Sequence, residues 1–233
     1  MLKAVLFDLD GTLLPLDTES FIQAYLREVG QFVQKKFNSW SFIQNLLAST
    51  KAMLESRNPD YTNEQVFWQD FGKRLGKDLD EIFPLMEDFY SNQFNDLKKM
   101  SNPAPAIAQK AVQAALDRGL KIAVATQPLF PLLAVKHRIR WAGVEDFPWD
   151  LITCYEKLHF CKPTAAFYQE VAYLLGLEPE ECLMVGNDPK DDLSSAKTGM
   201  QTYWVNNGQS AVPEIEPDGQ GSLAEFADWL QNL

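Results

Sequence analysis

Cysteine is scarce in this chain. The three present, Cys154, Cys161 and Cys182, are odd in number and never fall in a C-x-x-C spacing. That pattern gives neither a disulfide framework nor a zinc site, and a reducing compartment is expected. Basic residues are outnumbered, with 21 Lys plus Arg against 32 Asp plus Glu and a formal net charge of -11. Such a surface repels phosphate backbones and anionic headgroups, so neither nucleic acid nor a membrane is an expected partner. An anionic small molecule remains possible only where a metal ion or a buried Lys reverses the field locally. No apolar run reaches the ~18 residues that span a bilayer, and the run from Met1 to Phe7 stops at Asp8, too short for a signal-peptide core. Internal repeats and low-complexity tracts are also lacking. A soluble, cytoplasmic protein is the expectation, with its oligomeric state open.

What is present is an ordinary globular composition, 46% hydrophobic and 23% charged over 233 residues, enough for one α/β domain with a smaller insertion. Ala4-Val5-Leu6-Phe7 is continuously apolar and runs into Asp8-Leu9-Asp10-Gly11-Thr12, the pattern of a strand buried on both faces. From Asp17 to about Leu97 the spacing is helical and rich in aromatics, with a capping box at Thr62-Asn63-Glu64-Gln65 and punctuation at Pro59 and Pro84. After Pro103 and Pro105 helices alternate with apolar strands at 121–125, 151–153, 182–185 and 201–205, and Ser222 to Glu225 caps a last helix. The predicted fold is α/β: a Rossmann-like parallel sheet core (1–14 and 101–233) with helices on both faces, plus an inserted all-helical cap domain (15–100).

Parallel sheets bind ligands beyond the carboxyl ends of their strands. Four such places carry polar residues here. Asp8 and Asp10, two apart on an extended chain, can share one side, and a hard divalent cation would offset their repulsion. The bland alternative is that Asp10-Gly11 is only a turn. Thr126 and Gln127 follow the second strand and can donate to phosphate oxygens. Lys162, before Pro163, can act as a positive point charge, although a lysine there is commonly a solvated loop residue. Gly186-Asn187-Asp188-Pro189-Lys190-Asp191-Asp192 brings further carboxylates, which a helix N-terminus would also favour.

Taken in this order, these residues resemble the four motifs of the haloacid dehalogenase superfamily of aspartate-nucleophile phosphatases. The resemblance runs from Leu2 to about Val205 and is weak in the cap. It implies that Asp8 is the nucleophile, Asp10 the general acid and base, and Thr12 a support for Asp10. Thr126 and Lys162 would bind phosphate, and Asp192 would orient Lys162 or a metal-bound water. It also implies Mg2+, held by Asp8, the Asp10 backbone carbonyl and a residue of the fourth motif. Many members have Gly-Asp where this chain has Gly186-Asn187. Asp188 or Asn187 could fill that place, and the charge of a carboxylate favours Asp188. The implied activity is magnesium-dependent hydrolysis of a small phosphorylated metabolite through an aspartyl-phosphate. Haloacid dehalogenases lack the second aspartate and need no metal, so Asp10 argues against that branch. A phosphomutase, a phosphonate hydrolase and a non-catalytic phospho-ligand binding protein are the alternatives.

Other features read as structural. Lys136, His137, Arg138 and Arg140 suit the cation-favouring end of a helix and are expected on a solvated face. His159 reads as a surface imidazole. Trp40, Phe42, Trp68 and Phe71 have helical spacing and are expected in the core of the insertion.

Overall fold

The computed structural model describes residues 1–206 and 212–233, so 207–211 of the expected core segment lie outside the described residues. Strand β1 (Ala4–Phe7) is buried throughout and sits in the middle of the sheet, paired in parallel with β2 (Lys121–Val124) on one side and β4 (Cys182–Gly186) on the other. With β3 (Leu151–Ile152), β5 (Gln201–Val205) and β6 (Gly219–Gly221), the described sheet has the order β3-β2-β1-β4-β5-β6, every pair parallel. The order reverses between β1 and β4, which opens a crevice at their carboxyl ends. Phe7 lies opposite both Val124 and Val185, so the residues following β1, β2 and β4 emerge at nearly one level.

Alternation along the strands assigns side chains to two cores. Val5, Phe7, Ile122, Val124, Leu183 and Val185 pack with α5 (Pro105–Asp117), α6 (Leu132–Ala142) and α8 (Leu223–Gln231). Ala4, Leu6, Ala123, Cys182 and Met184 face α7 (Ala165–Leu174). Because both faces are covered, the central strands β1 and β4 are apolar without interruption. The last strand departs from expectation. Gly219-Gln220-Gly221 has almost no β propensity, yet it pairs with β5 as an edge, and a Cβ on Gly219 would stand 2.3 Å from the Trp229 ring.

Between β1 and α5 the described residues add no further strand to the sheet and form helices joined by turns. They are α1 (Thr18–Val33), α2 (Ser39–Glu55), α3 (Asn63–Leu75) and α4 (Leu79–Asp88), with α4 running on through a π-turn and a 3-10 segment to Met100. Asp17 caps α1 by accepting the Ser20 amide, and Thr62 and Gln65 form the expected capping box on α3. Pro84 does not punctuate but lies inside α4, where it leaves Asp80 without its usual N–H partner. The helix tolerates this because Pro84 faces water. The two segments joining these helices to the sheet run side by side. Leu16 bridges Ser101, and the Asn102 amide donates to the Pro15 carbonyl at 2.8 Å.

An aromatic seam fastens the helical insertion to the sheet domain. Phe94 stacks on Trp141 of α6 with ring centroids 5.6 Å apart and meets Phe21, Tyr25 and Phe130 edge-on or tilted. Phe42, Trp68 and Phe71 are buried as expected. Trp40 is not, being 71% exposed at the start of α2. Phe94→Ala should therefore lower the free energy of unfolding by ~3–5 kcal/mol through lost burial and the cavity it leaves. Trp40→Ala should shift it by no more than ~0.5 kcal/mol. Urea titrations of the two variants would separate these outcomes.

Candidate active site

The central feature is a buried lysine between two aspartates. The ammonium of Lys162, 4% exposed, donates to Asp8 Oδ1 at 2.9 Å and to Asp192 Oδ1 at 2.6 Å. Asp8 leaves the end of β1 and Asp192 begins a 3-10 turn after β4, so Lys162 spans the crevice where the strand order reverses. Burial raises the Asp8 pKa, with Lys162 opposing it. Burial likewise pushes Asp192 up to about 6 against the same ammonium. Burial by itself would lower the Lys162 pKa, but the two carboxylates hold it above its ordinary value.

Several backbone details make this cluster possible. A Cβ on Gly186 would fall 2.1 Å from the Asp192 carboxylate, so only glycine lets that carboxylate close over the end of β4. The other oxygen of Asp192 accepts the Asp188 amide at 2.9 Å. Gln127 clamps the Lys162 backbone from both sides, its Oε1 accepting the amide at 2.9 Å and its Nε2 donating to the carbonyl at 3.2 Å. Gln127, weighed above as a phosphate donor, thus ties the loop after β2 to the loop that carries Lys162. Thr126 is buried at the end of β2, and its carbonyl accepts the Thr153 hydroxyl at 2.8 Å.

On the opposite side of Asp8, the Thr12 hydroxyl lies 3.2 Å from Asp8 Oδ2 and 3.1 Å from Asn187 Oδ1. Having one proton, it donates to one of them at a time. Asn187 is pressed against the first loop, since a Cβ on Gly11 would meet its amide at 2.5 Å and Gly11 has a φ of +85°. Asp188 is not brought into this group. Its side chain is exposed, and its Oδ1 accepts the amides of Lys190 and Asp191 at 2.8 Å each, holding the turn. Thr12 supports Asp8 and Asn187, with no hydrogen bond to Asp10 among the described contacts.

Asp10 is held by Arg138, which corrects the reading of the basic cluster as a solvated face. Arg138 is 1% exposed, its Nη1 donates to Asp10 Oδ2, and its guanidinium lies 4.7 Å from the centre of the Phe130 ring. Burial raises the Asp10 pKa, and Arg138 counters it. His137 is also buried, whereas Lys136 and Arg140 are exposed. The signal was present in the spacing: Ala134, Arg138 and Ala142 follow i, i+4 on the inner face of α6, and Lys136 and Arg140 follow it on the outer face. His159 is half-buried against Glu170 at 2.6 Å.

Three largely buried carboxylates, Asp8, Asp10 and Asp192, thus face two buried cations, Lys162 and Arg138. Among the described residues no three His, Cys, Asp or Glu side chains group as a ready-made metal cage. The oxygens that do converge are Asp8 Oδ2 and Asn187 Oδ1, both within hydrogen-bond reach of one hydroxyl. Asp10 Oδ1 is likewise buried and has no hydrogen-bond partner. Oxygen donors with excess negative charge suit a hard divalent cation.

A doubly wound α/β protein with a lysine-bridged aspartate at its switch point is the class that fold and site define. The model of the haloacid dehalogenase-like hydrolase family matches residues 2–199, and the chain belongs to that family. It is 23% identical to pyrophosphatase PpaX of Bacillus cereus over 225 residues, covering 93% of this chain and 90% of the relative. Among solved structures it resembles a HAD phosphatase from Thermococcus onnurineus, with a TM-score of 0.61, 22% identity and 98% of each chain covered. It is also similar to a 2-haloacid dehalogenase from Pseudomonas syringae, with a TM-score of 0.62 and 20% identity over 100% of this chain and 99% of that one. These structural likenesses speak for the fold.

Removing the central ammonium would leave two buried carboxylates unpaired. Lys162→Met should cost ~3–5 kcal/mol of unfolding free energy in chelator-treated protein. Lys51→Ala, at an exposed pair with Glu55 in α2, should leave the urea midpoint unchanged. Gly186→Ala should also be destabilising, because its methyl group displaces Asp192. A Lys162→Met midpoint equal to that of wild type would show that the ammonium does not offset the buried charge.

Proposed function

We propose that the chain is a magnesium-dependent hydrolase of a small phosphate monoester, acting through an aspartyl-phosphate on Asp8. The observation that carries this reading is the buried Asp8–Lys162–Asp192 bridge at the crevice between β1 and β4. Membership of the hydrolase family and a relative named a pyrophosphatase support hydrolysis at phosphorus.

An oxygen of Asp8 would attack phosphorus in line as the ester P–O bond breaks, and Asp10 would hand its proton to the departing alkoxide. Asp10 would then take a proton from the water that attacks phosphorus, releasing inorganic phosphate and restoring the Asp8 carboxylate. Lys162 would turn from Asp8 toward the phosphoryl oxygens while Asp192 retains it, and Thr126 would contribute a further donor from the end of β2. Asp8, the Asp10 carbonyl and Asn187 would hold Mg2+, which when bound offsets the joint charge of nucleophile and phosphate. Asn187 takes this role over Asp188 because Asp188 is committed to the turn it caps. The helical insertion, over about 15–100, would act as the cap that excludes bulk water, hinged on the paired segments at Leu16 and Ser101.

Asp8→Asn should reduce hydrolysis of p-nitrophenyl phosphate by well over ~100-fold in protein that still unfolds cooperatively in urea. Retention of more than a few per cent of kcat would remove Asp8 from the nucleophile's role. For the metal, Asn187→Ala should raise the magnesium concentration needed for half-maximal rate more than Asp188→Ala does. Magnesium titrations giving the opposite order would return the ligand position to Asp188.

A further inference from the structure

The loop that carries Thr126 continues through Leu129 and Phe130, and these two side chains form one wall of a cavity of about 70 Å³. Tyr155, after β3, adds to that wall, and the helical insertion supplies the remainder, including Tyr25 of α1, Leu46 of α2, Trp68 of α3 and Tyr90. No side chain lining the cavity carries a charge. Its polar groups are already partnered. The Tyr25 and Tyr90 hydroxyls share a hydrogen bond of 2.7 Å, Thr50 donates to the Leu46 carbonyl at 2.9 Å, and Trp68 Nε1 donates to the Tyr155 hydroxyl at 3.4 Å. Burial pushes the Tyr25 pKa up to about 12 and raises that of Tyr90 as well, so both phenols stay neutral at physiological pH. Phe130 links this space to the reacting groups, because the Arg138 guanidinium that holds Asp10 packs on its ring.

Resting on the reading of Asp8 as a phosphatase nucleophile, we infer that this cavity receives the leaving alcohol and selects a compact apolar group, a short branched chain or a single ring. The ester's phosphoryl end would lie at Asp8 and Lys162, and its carbon skeleton beyond Asp10 against Phe130, Tyr25 and Trp68. An apolar group gains from leaving water there, and the aromatic walls supply dispersion contact. A glycerol moiety would lose hydration without recovering its hydrogen bonds. The second phosphate of pyrophosphate would bring charge into a neutral space. This chain should therefore differ in preference from a relative that bears the name of a pyrophosphatase.

The test pairs ligand binding with turnover. Isobutanol and glycerol would be offered to the Asp8→Asn protein and followed by saturation-transfer NMR. Transfer to isobutanol and none to glycerol is expected, with the isobutanol signal lost in Leu46→Phe and in Thr50→Ile, two independent ways of filling the cavity. For the active enzyme, kcat/KM for isobutyl phosphate should exceed that for glycerol phosphate by roughly tenfold or more, since the two alcohols differ chiefly in polarity. It should exceed that for pyrophosphate as well. Equal transfer to both alcohols, or an isobutanol signal that survives both filling variants in folded protein, overturns the assignment of the cavity. A kcat/KM order led by pyrophosphate or glycerol phosphate overturns the substrate preference. Isobutanol binding that the filling variants abolish, with no turnover of any ester, would instead sink the phosphatase reading and leave the cavity supported as an apolar ligand site.

Discussion

The site depends on one ammonium group placed where two carboxylates meet. Lys162 reaches Asp8 from one loop and Asp192 from another, and without it two acids of an already acidic protein would be buried side by side. The cost of desolvating such charges is offset only by close, multiply hydrogen-bonded geometry. Much of the surrounding backbone serves that geometry. Gly186 makes room for Asp192, Gln127 grips the backbone of Lys162, and the Asp188 amide takes up the remaining Asp192 oxygen. The bridge crosses from β1 to the segment following β4, so it also fastens the two halves of the sheet at the point where their order reverses.

Arg138 extends the same logic toward the helical insertion. It holds Asp10 and lies on the Phe130 ring, and Phe130 in turn meets Phe21, Tyr25 and Phe94. The charge network and the aromatic seam are therefore contiguous. Phe130 is thus the contact shared by the aromatic core of the insertion and the guanidinium that holds Asp10. Asp8, Asp10 and Asp192 face the buried cations Lys162 and Arg138, and Asn187 and Asp8 present oxygens on the side away from Lys162.

The sheet was legible in the sequence because strands buried on both faces must be apolar at every position, and Ala4 to Phe7 and Cys182 to Val185 are. The helices between Asp17 and Met100 were legible from period and caps. Edge strand β6 was not, since two of its three residues are glycine and its pairing comes from the neighbouring strand and from Trp229 above it. Trp40 shows the limit of periodicity, which cannot tell an outward-facing ring at a helix start from an inward-facing one.

At the site, the sequence by itself determined which residue types stand after which strands: Asp8 and Asp10 after the first, Thr126 after the second, and Asn187 to Asp192 after the fourth. Chemistry and order sufficed for that, because a parallel sheet delivers the residue after each strand to the same edge. Orientation belonged to the tertiary structure. Adjacent residues in a turn point in different directions, so Asn187 turns toward Asp8 while Asp188 turns back to its own backbone. Arg138 has the composition of a surface residue and an environment that exists only once α6 packs against Asp10 and Phe130. Distances between side chains far apart in sequence follow from packing, and packing is the property that a linear pattern does not carry.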